Sequence, residues 1–110
     1  MDKLVFSGHN RSYEDFKKQI APSVKPLFDS LRDYCFSLGK NVVEDIRMHR
    51  IVFCKSMVFR FFADMEPRQD SILIKIRKDR KEPQKEIGVK PGQNLDELKS
   101  LLSEAYNKIR

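Results

Sequence analysis

The sequence predicts an α+β fold: a four-stranded antiparallel meander with N-terminal and C-terminal helices packed on one face. Three observations predict it. Apolar side chains recur at helical spacing near both ends of the chain, the stretch between Val42 and Arg77 switches to period two, and no long crossover interrupts that stretch. Helices bracketing a run of strands imply a meander covered on one side and bare on the other.

A short first helix is expected over 12–20, with Ser12 as its N-cap and Asp15 three residues on, where a carboxylate suits the helix start. Pro22 ends it. The second helix spans 24–38, because Val24, Leu27, Phe28, Leu31, Cys35 and Leu38 fall on one face and Pro26 is tolerated in a first turn. Gly39 follows as the residue after the C-cap. The strands are read at 42–48, 51–56, 58–65 and 72–77, with turns at His49-Arg50 and Ser56-Met57 and a loop over 66–70. Residues 78–93, with Pro83, Gly88, Pro91 and Gly92 among many charges, are expected to form a long exposed connection. Asn94 then caps a last helix, with Glu97 in capping-box position and a buried stripe of Leu95, Leu98, Leu101, Leu102, Ala105, Tyr106 and Ile109.

A chain of 110 residues suits one domain, read here as 1–110 with 1–11 as a loose or strand-like arm. Hydrophobic residues make up 40% and charged residues 35%, a globular balance that needs no disulfide or metal to close a core. Cys35 and Cys54 form no CxxC pair, so two buried free thiols are expected. Residues 1–7 hold only three consecutive apolar side chains, so no signal peptide is expected, and no apolar run is long enough to span a membrane. The expected location is the cytoplasm.

Net charge is +6, and it is uneven. Residues 40–90 carry thirteen basic against eight acidic groups, so five of the six net charges fall where the strands fall. Such a balance favours acidic partners.

Strict alternation divides the strand residues between two faces. Val52, Cys54, Phe59, Phe61, Ala63, Met65, Ile72, Ile74 and Ile76 are assigned to the core under the helices. The uncovered face is then a candidate interaction surface of Arg47, Phe53, Lys55, Arg60, Phe62, Leu73, Lys75 and Arg77, with Ile51 beside them. Two partner classes fit it. The apolar members suit self-association or another protein, and cations interleaved with aromatic rings suit a single-stranded nucleic acid. A third reading, a metal-dependent nuclease, rests on Asp64, Glu66 and Lys75 alone. There is no phosphate-binding Gly-rich loop, no GxSxG elbow and no paired nucleophile and base, and His9 and His49 lack matching ligands, so no catalytic residue, metal or cofactor is expected.

Leu27-Phe28-x-x-Leu31-Arg32 with Leu38-Gly39-x-x-Val42, then 53–59, 66–76 and Asp96-Glu97-Leu98…Ala105-Tyr106, resemble in order a family of small domains labelled "predicted transport protein". The resemblance covers about residues 24–110. It implies a helix-flanked antiparallel sheet and no established activity. Where the family carries Ala-Tyr-Lys, this chain has Phe53-Cys54-Lys55.

Overall fold

The computed structural model describes residues 11–55, 60–78, 81 and 83–109. The expected arm over 1–11 lies outside them but for Arg11, as does the turn at Ser56-Met57. Three helices and a sheet follow the chain in the order α1 (Tyr13–Lys17), α2 (Lys25–Ser37), β1 (Val42–Ile46), β2 (Ile51–Lys55), β3 (Arg60–Pro67), β4 (Ile72–Ile76), β5 (Lys85–Val89) and α3 (Asp96–Lys108). Every strand pairs antiparallel with the next.

The sheet therefore has five strands, not four. The fifth lies inside the stretch read as a loop. Lys85-Glu86-Ile87-Gly88-Val89 offers only two large apolar residues and a glycine, too faint an alternation to stand out among charges. Pairing with the strongly apolar β4 recruits it: Val89 sits beside Ile72 and Ile87 beside Ile74. Pro91-Gly92 then turns the chain toward α3, with Gly92 at φ 89° and the Gln93 N–H bonded to the Lys90 carbonyl at 3.2 Å.

Local signals set the helix ends, with two revisions. Ser12 caps α1, its hydroxyl accepting from the Asp15 N–H at 3.1 Å. Asn94 does not cap α3 directly. Its side chain accepts from the Asp96 N–H at 2.8 Å, an Asx turn that feeds the helix, while Leu95 takes the N-cap place without a side-chain bond. Gly39 is required by close approach rather than by a left-handed backbone. The Tyr106 ring lies so near its Cα that an added Cβ would overlap the hydroxyl and ring carbons. Gly39→Ala is expected to cost about 1–3 kcal/mol by overpacking, part of it recovered in a Gly39→Ala/Tyr106→Phe double variant; equal melting curves for native and Gly39→Ala would refute the contact.

The β1–β2 hairpin closes one residue earlier than expected, around Met48-His49, with the Arg47 N–H on the Arg50 carbonyl at 2.8 Å. The β3–β4 turn is tighter than the expected loop, closed at Gln69-Asp70 by the Arg68 N–H on the Ser71 carbonyl at 2.7 Å.

The helices lie on one face of the sheet. Phe36 of α2 meets Phe53 edge-to-face at 5.7 Å, and Arg32 of α2 grips Glu44, the cross-strand neighbour of Phe53. Tyr106 of α3 meets Phe62 edge-to-face at 5.4 Å. Phe28, Leu31, Cys35, Leu98, Leu102 and Ala105 close over Ile51, Phe53, Ala63, Met65, Ile72, Ile74 and Ile76 in one core. The helical stripes are legible in the sequence, and so are Ala63, Met65 and the three isoleucines of β4.

Two strand assignments reverse. Ile51 and Phe53, expected on the bare face, are fully buried in the core, while Val52 and Cys54 point to the other side. The run Ile51-Val52-Phe53-Cys54 is apolar at every position, so alternation has nothing to choose between. On β3 a bulge intervenes. Phe53 pairs with Ala63 but Cys54 with Phe61, which leaves Phe62 as the extra residue. Phe62 packs inward, fully buried, and Phe61 is displaced to the outer face and half-exposed. A one-residue insertion inverts parity on one side of itself, and nothing in a period-two pattern announces it.

Candidate functional site

The eight candidate residues divide between two faces and two ends. Phe53 and Phe62 are core residues. Lys55 also turns toward the helices, where its ammonium donates to the Tyr106 carbonyl at 3.0 Å and stands 4.5 Å from that ring. This cation serves the C-terminal turn of α3, whose last carbonyls lack helical partners. Arg60 is the cross-strand partner of Lys55 and shares its side. Leu73, Lys75 and Arg77 do lie half-buried on the outer face, and Arg47 stands exposed at the first hairpin, paired with Asp45 at 3.0 Å.

The outer face is not the aromatic, cationic surface expected. Its centre is an ion-pair lattice. Arg50 spans Asp64 and Glu66 at 3.2 and 3.1 Å, and Arg68 reaches the second oxygen of Glu66 at 3.3 Å. Lys75 sits across from Asp64 on one side and Glu86 on the other. Arg77 places its guanidinium 5.5 Å from the Phe61 ring. Arg50 escapes a sequence reading because only the register brings a hairpin residue against two carboxylates fourteen and sixteen positions away.

The same lattice bears on the nuclease reading. Asp64, Glu66 and Lys75 do share the outer face, but a guanidinium already lies between the two carboxylates, where that reading requires a divalent cation. Among the described residues no group of three His, Cys, Asp or Glu side chains is placed to hold a metal ion. The thiols are poor nucleophiles. Both cysteines are free; burial, with the Glu44 carboxylate adding to it, pushes Cys35 up to about 12, and burial raises the half-buried Cys54 too.

Charge instead segregates along the strands. At one end lie the starts of β3 and β5, the end of β4 and the end of α3. Arg60, Arg77, Lys78, Lys81 and Lys85 gather there with Lys40, Lys55 and Lys108. Glu104 lies among them and holds Lys78 at 3.4 Å and Lys108 at 3.6 Å, while Glu86 follows Lys85 on β5 and Glu44 stands in Lys85's row at the far edge. Lys78 and Lys108 keep the Glu104 carboxyl below the usual range. At the other end Arg47, Arg50, Arg68 and Lys90 face Asp45, Asp64, Glu66, Asp70, Asp96 and Glu97. Composition places the positive excess in the middle of the sequence; the fold gathers it at one end of the sheet.

Among the described residues the large exposed apolar groups are Phe36 on α2, Val43 on β1 and Met48 in the first hairpin, scattered rather than pooled. No helix among the described residues is long and apolar enough to cross a membrane. No family model matches this chain, and neither a curated protein nor a solved structure matches it. The resemblance stated from sequence thus stays with its ordered motifs.

Proposed function

We propose that this chain is a non-catalytic binding module that takes the phosphate backbone of a single-stranded nucleic acid along the basic end of its sheet. The observation that carries the reading is the segregation of charge, with Lys40, Lys55, Arg60, Arg77, Lys78, Lys85 and Lys108 toward that end against Glu104, Glu86 and Glu44 among the described residues. Clustered cations gain affinity by releasing the counterions of a polyanion, which an even scatter of the same charges does poorly. Stacking plays a small part. Phe53, Phe62 and Tyr106 are buried, and Phe61 is the half-exposed ring at this end, beside Arg77. Self-association through an apolar sheet face loses its basis, because Ile51, Phe53 and Phe62 belong to the core.

Binding across three to five phosphates should give a slope of log K against log salt of about −2 to −3.5. Fluorescence polarisation with a labelled oligonucleotide across a salt series measures it. The paired change Arg60→Glu/Lys85→Glu is expected to weaken binding at least about tenfold and flatten the slope by roughly 1.4, near 0.7 for each phosphate no longer neutralised. Arg47→Glu, at the opposite end, should leave both nearly unchanged. Equal losses from the two ends, or no salt dependence, would reject the site.

A further inference from the structure

The fifth strand leaves an edge, and that edge matches itself. We propose that two copies of the chain pair antiparallel through β5, extending the sheet across a two-fold axis at Ile87. The inference is independent of nucleic-acid binding. Backbone bonds alternate along an antiparallel ladder. The Arg68–Ser71 and Arg77–Phe62 bonds fix β4 residues 71, 73, 75 and 77 as those bonded to β3. Ile72, Ile74 and Ile76 therefore bond to Val89, Ile87 and Lys85, and the peptide groups of Glu86 and Gly88 point away from the sheet.

Nothing described covers that edge: α3 lies over β3 and β4. In the register centred on Ile87, Glu86 of each chain faces Gly88 of the other, so both outward residues find full backbone pairs. Gly88 has no heavy atom within 4 Å of where a Cβ would stand, which leaves room for the opposing Glu86 side chain. Lys90 of the second copy lies diagonal to Glu86, within reach of two long side chains, and the two-fold makes that ion pair twice. Ile87 meets Ile87 on the helix side, continuing the core face. Glu86 and Lys90 are both exposed, with no ion pair to each other or to another described residue. Antiparallel pairing also sets the two basic ends at opposite ends of the joined sheet, so net charge opposes it little. The other edge lacks this match, since a two-fold at the centre of β1 sets Glu44 against Glu44.

A short edge makes a small interface, so the association is weak and concentration-dependent. Sedimentation equilibrium of the nucleic-acid-free protein tests it. The native mass should rise from 13.0 kDa toward twice that value at submillimolar to millimolar concentration. Glu86→Lys and Lys90→Glu, each checked for unchanged circular dichroism, should both stay monomeric by setting like charges diagonally. An equimolar mixture of the two variants should recover the dimer, because each supplies the charges the other lacks. A native protein monomeric throughout, single variants that dimerise like the native chain, or a mixture that stays monomeric would each overturn the proposal.

Discussion

Truncating Phe62 to alanine is expected to cost about 3–5 kcal/mol of folding stability, and truncating its neighbour Phe61 only about 1–2. Phe62 is fully buried and meets the Tyr106 ring at 5.4 Å, so its loss opens a cavity that α3 and the sheet cannot both relax into. Phe61 stands half-exposed on the opposite face beside Arg77, and its removal surrenders mainly that interaction and some area to solvent. Alternation alone predicts the reverse order. Urea denaturation of the two variants decides between them, since the midpoint shift at constant slope reads stability directly. A Phe61 variant less stable than the Phe62 variant would mean that β3 carries no bulge. Phe62→Glu, a change that an exposed face would tolerate, should instead fail to fold, because it places a carboxylate without partners in the core.

Arg32→Ala should destabilise the protein by about 2–4 kcal/mol, the second large effect. The Arg32 guanidinium forms a two-pronged pair with Glu44, at 2.5 and 3.0 Å, and lies 3.9 Å from the Tyr13 ring. Its side chain is 26% exposed and that of Glu44 12%, so solvent screens the pair only in part. The bond to Glu44 holds Arg32 above its ordinary range despite the cost of burial. Removing the cation strands a carboxylate above β1 and unpins α1 and α2 from the sheet edge. Next to it, Tyr13 donates to Asp29 at 2.5 Å, and Lys17 pairs with Asp29 at 2.9 Å, so one polar network joins both helices. Burial and the Asp29 carboxylate push the Tyr13 hydroxyl upward, which keeps it a donor at any physiological pH. The double variant Arg32→Met/Glu44→Leu should recover much of the loss, because it leaves no orphan charge. If Arg32→Ala and the double variant are equally unstable, the loss comes from packing of the arginine stem rather than from the ion pair.

What the sequence determined by itself is the set of elements whose physics is local. The stripes of α2 and α3, the Ser12 cap, the chain reversal near Pro67 and the alternating isoleucines of β4 each need only neighbours a few residues away, and each is legible in order. The tertiary structure decided everything that depends on register. Ile51-Val52-Phe53-Cys54 is apolar on both sides, and only pairing with β1 and β3 chooses which side meets the helices. The bulge turns Phe62 inward, where Tyr106, forty-four positions later, packs edge-to-face against it. β5 is too polar to declare itself, and becomes a strand because β4 presents an unsatisfied edge. The candidate site moved for the same reason. The excess of Lys and Arg between residues 40 and 90 is visible in composition, but hairpins fold distant positions onto shared ends, so Lys40, Arg60, Arg77 and Lys85 come to one end of the sheet only when the strands reverse direction. Backbone hydrogen bonds are identical at every register, and long-range packing supplies the free energy that selects one.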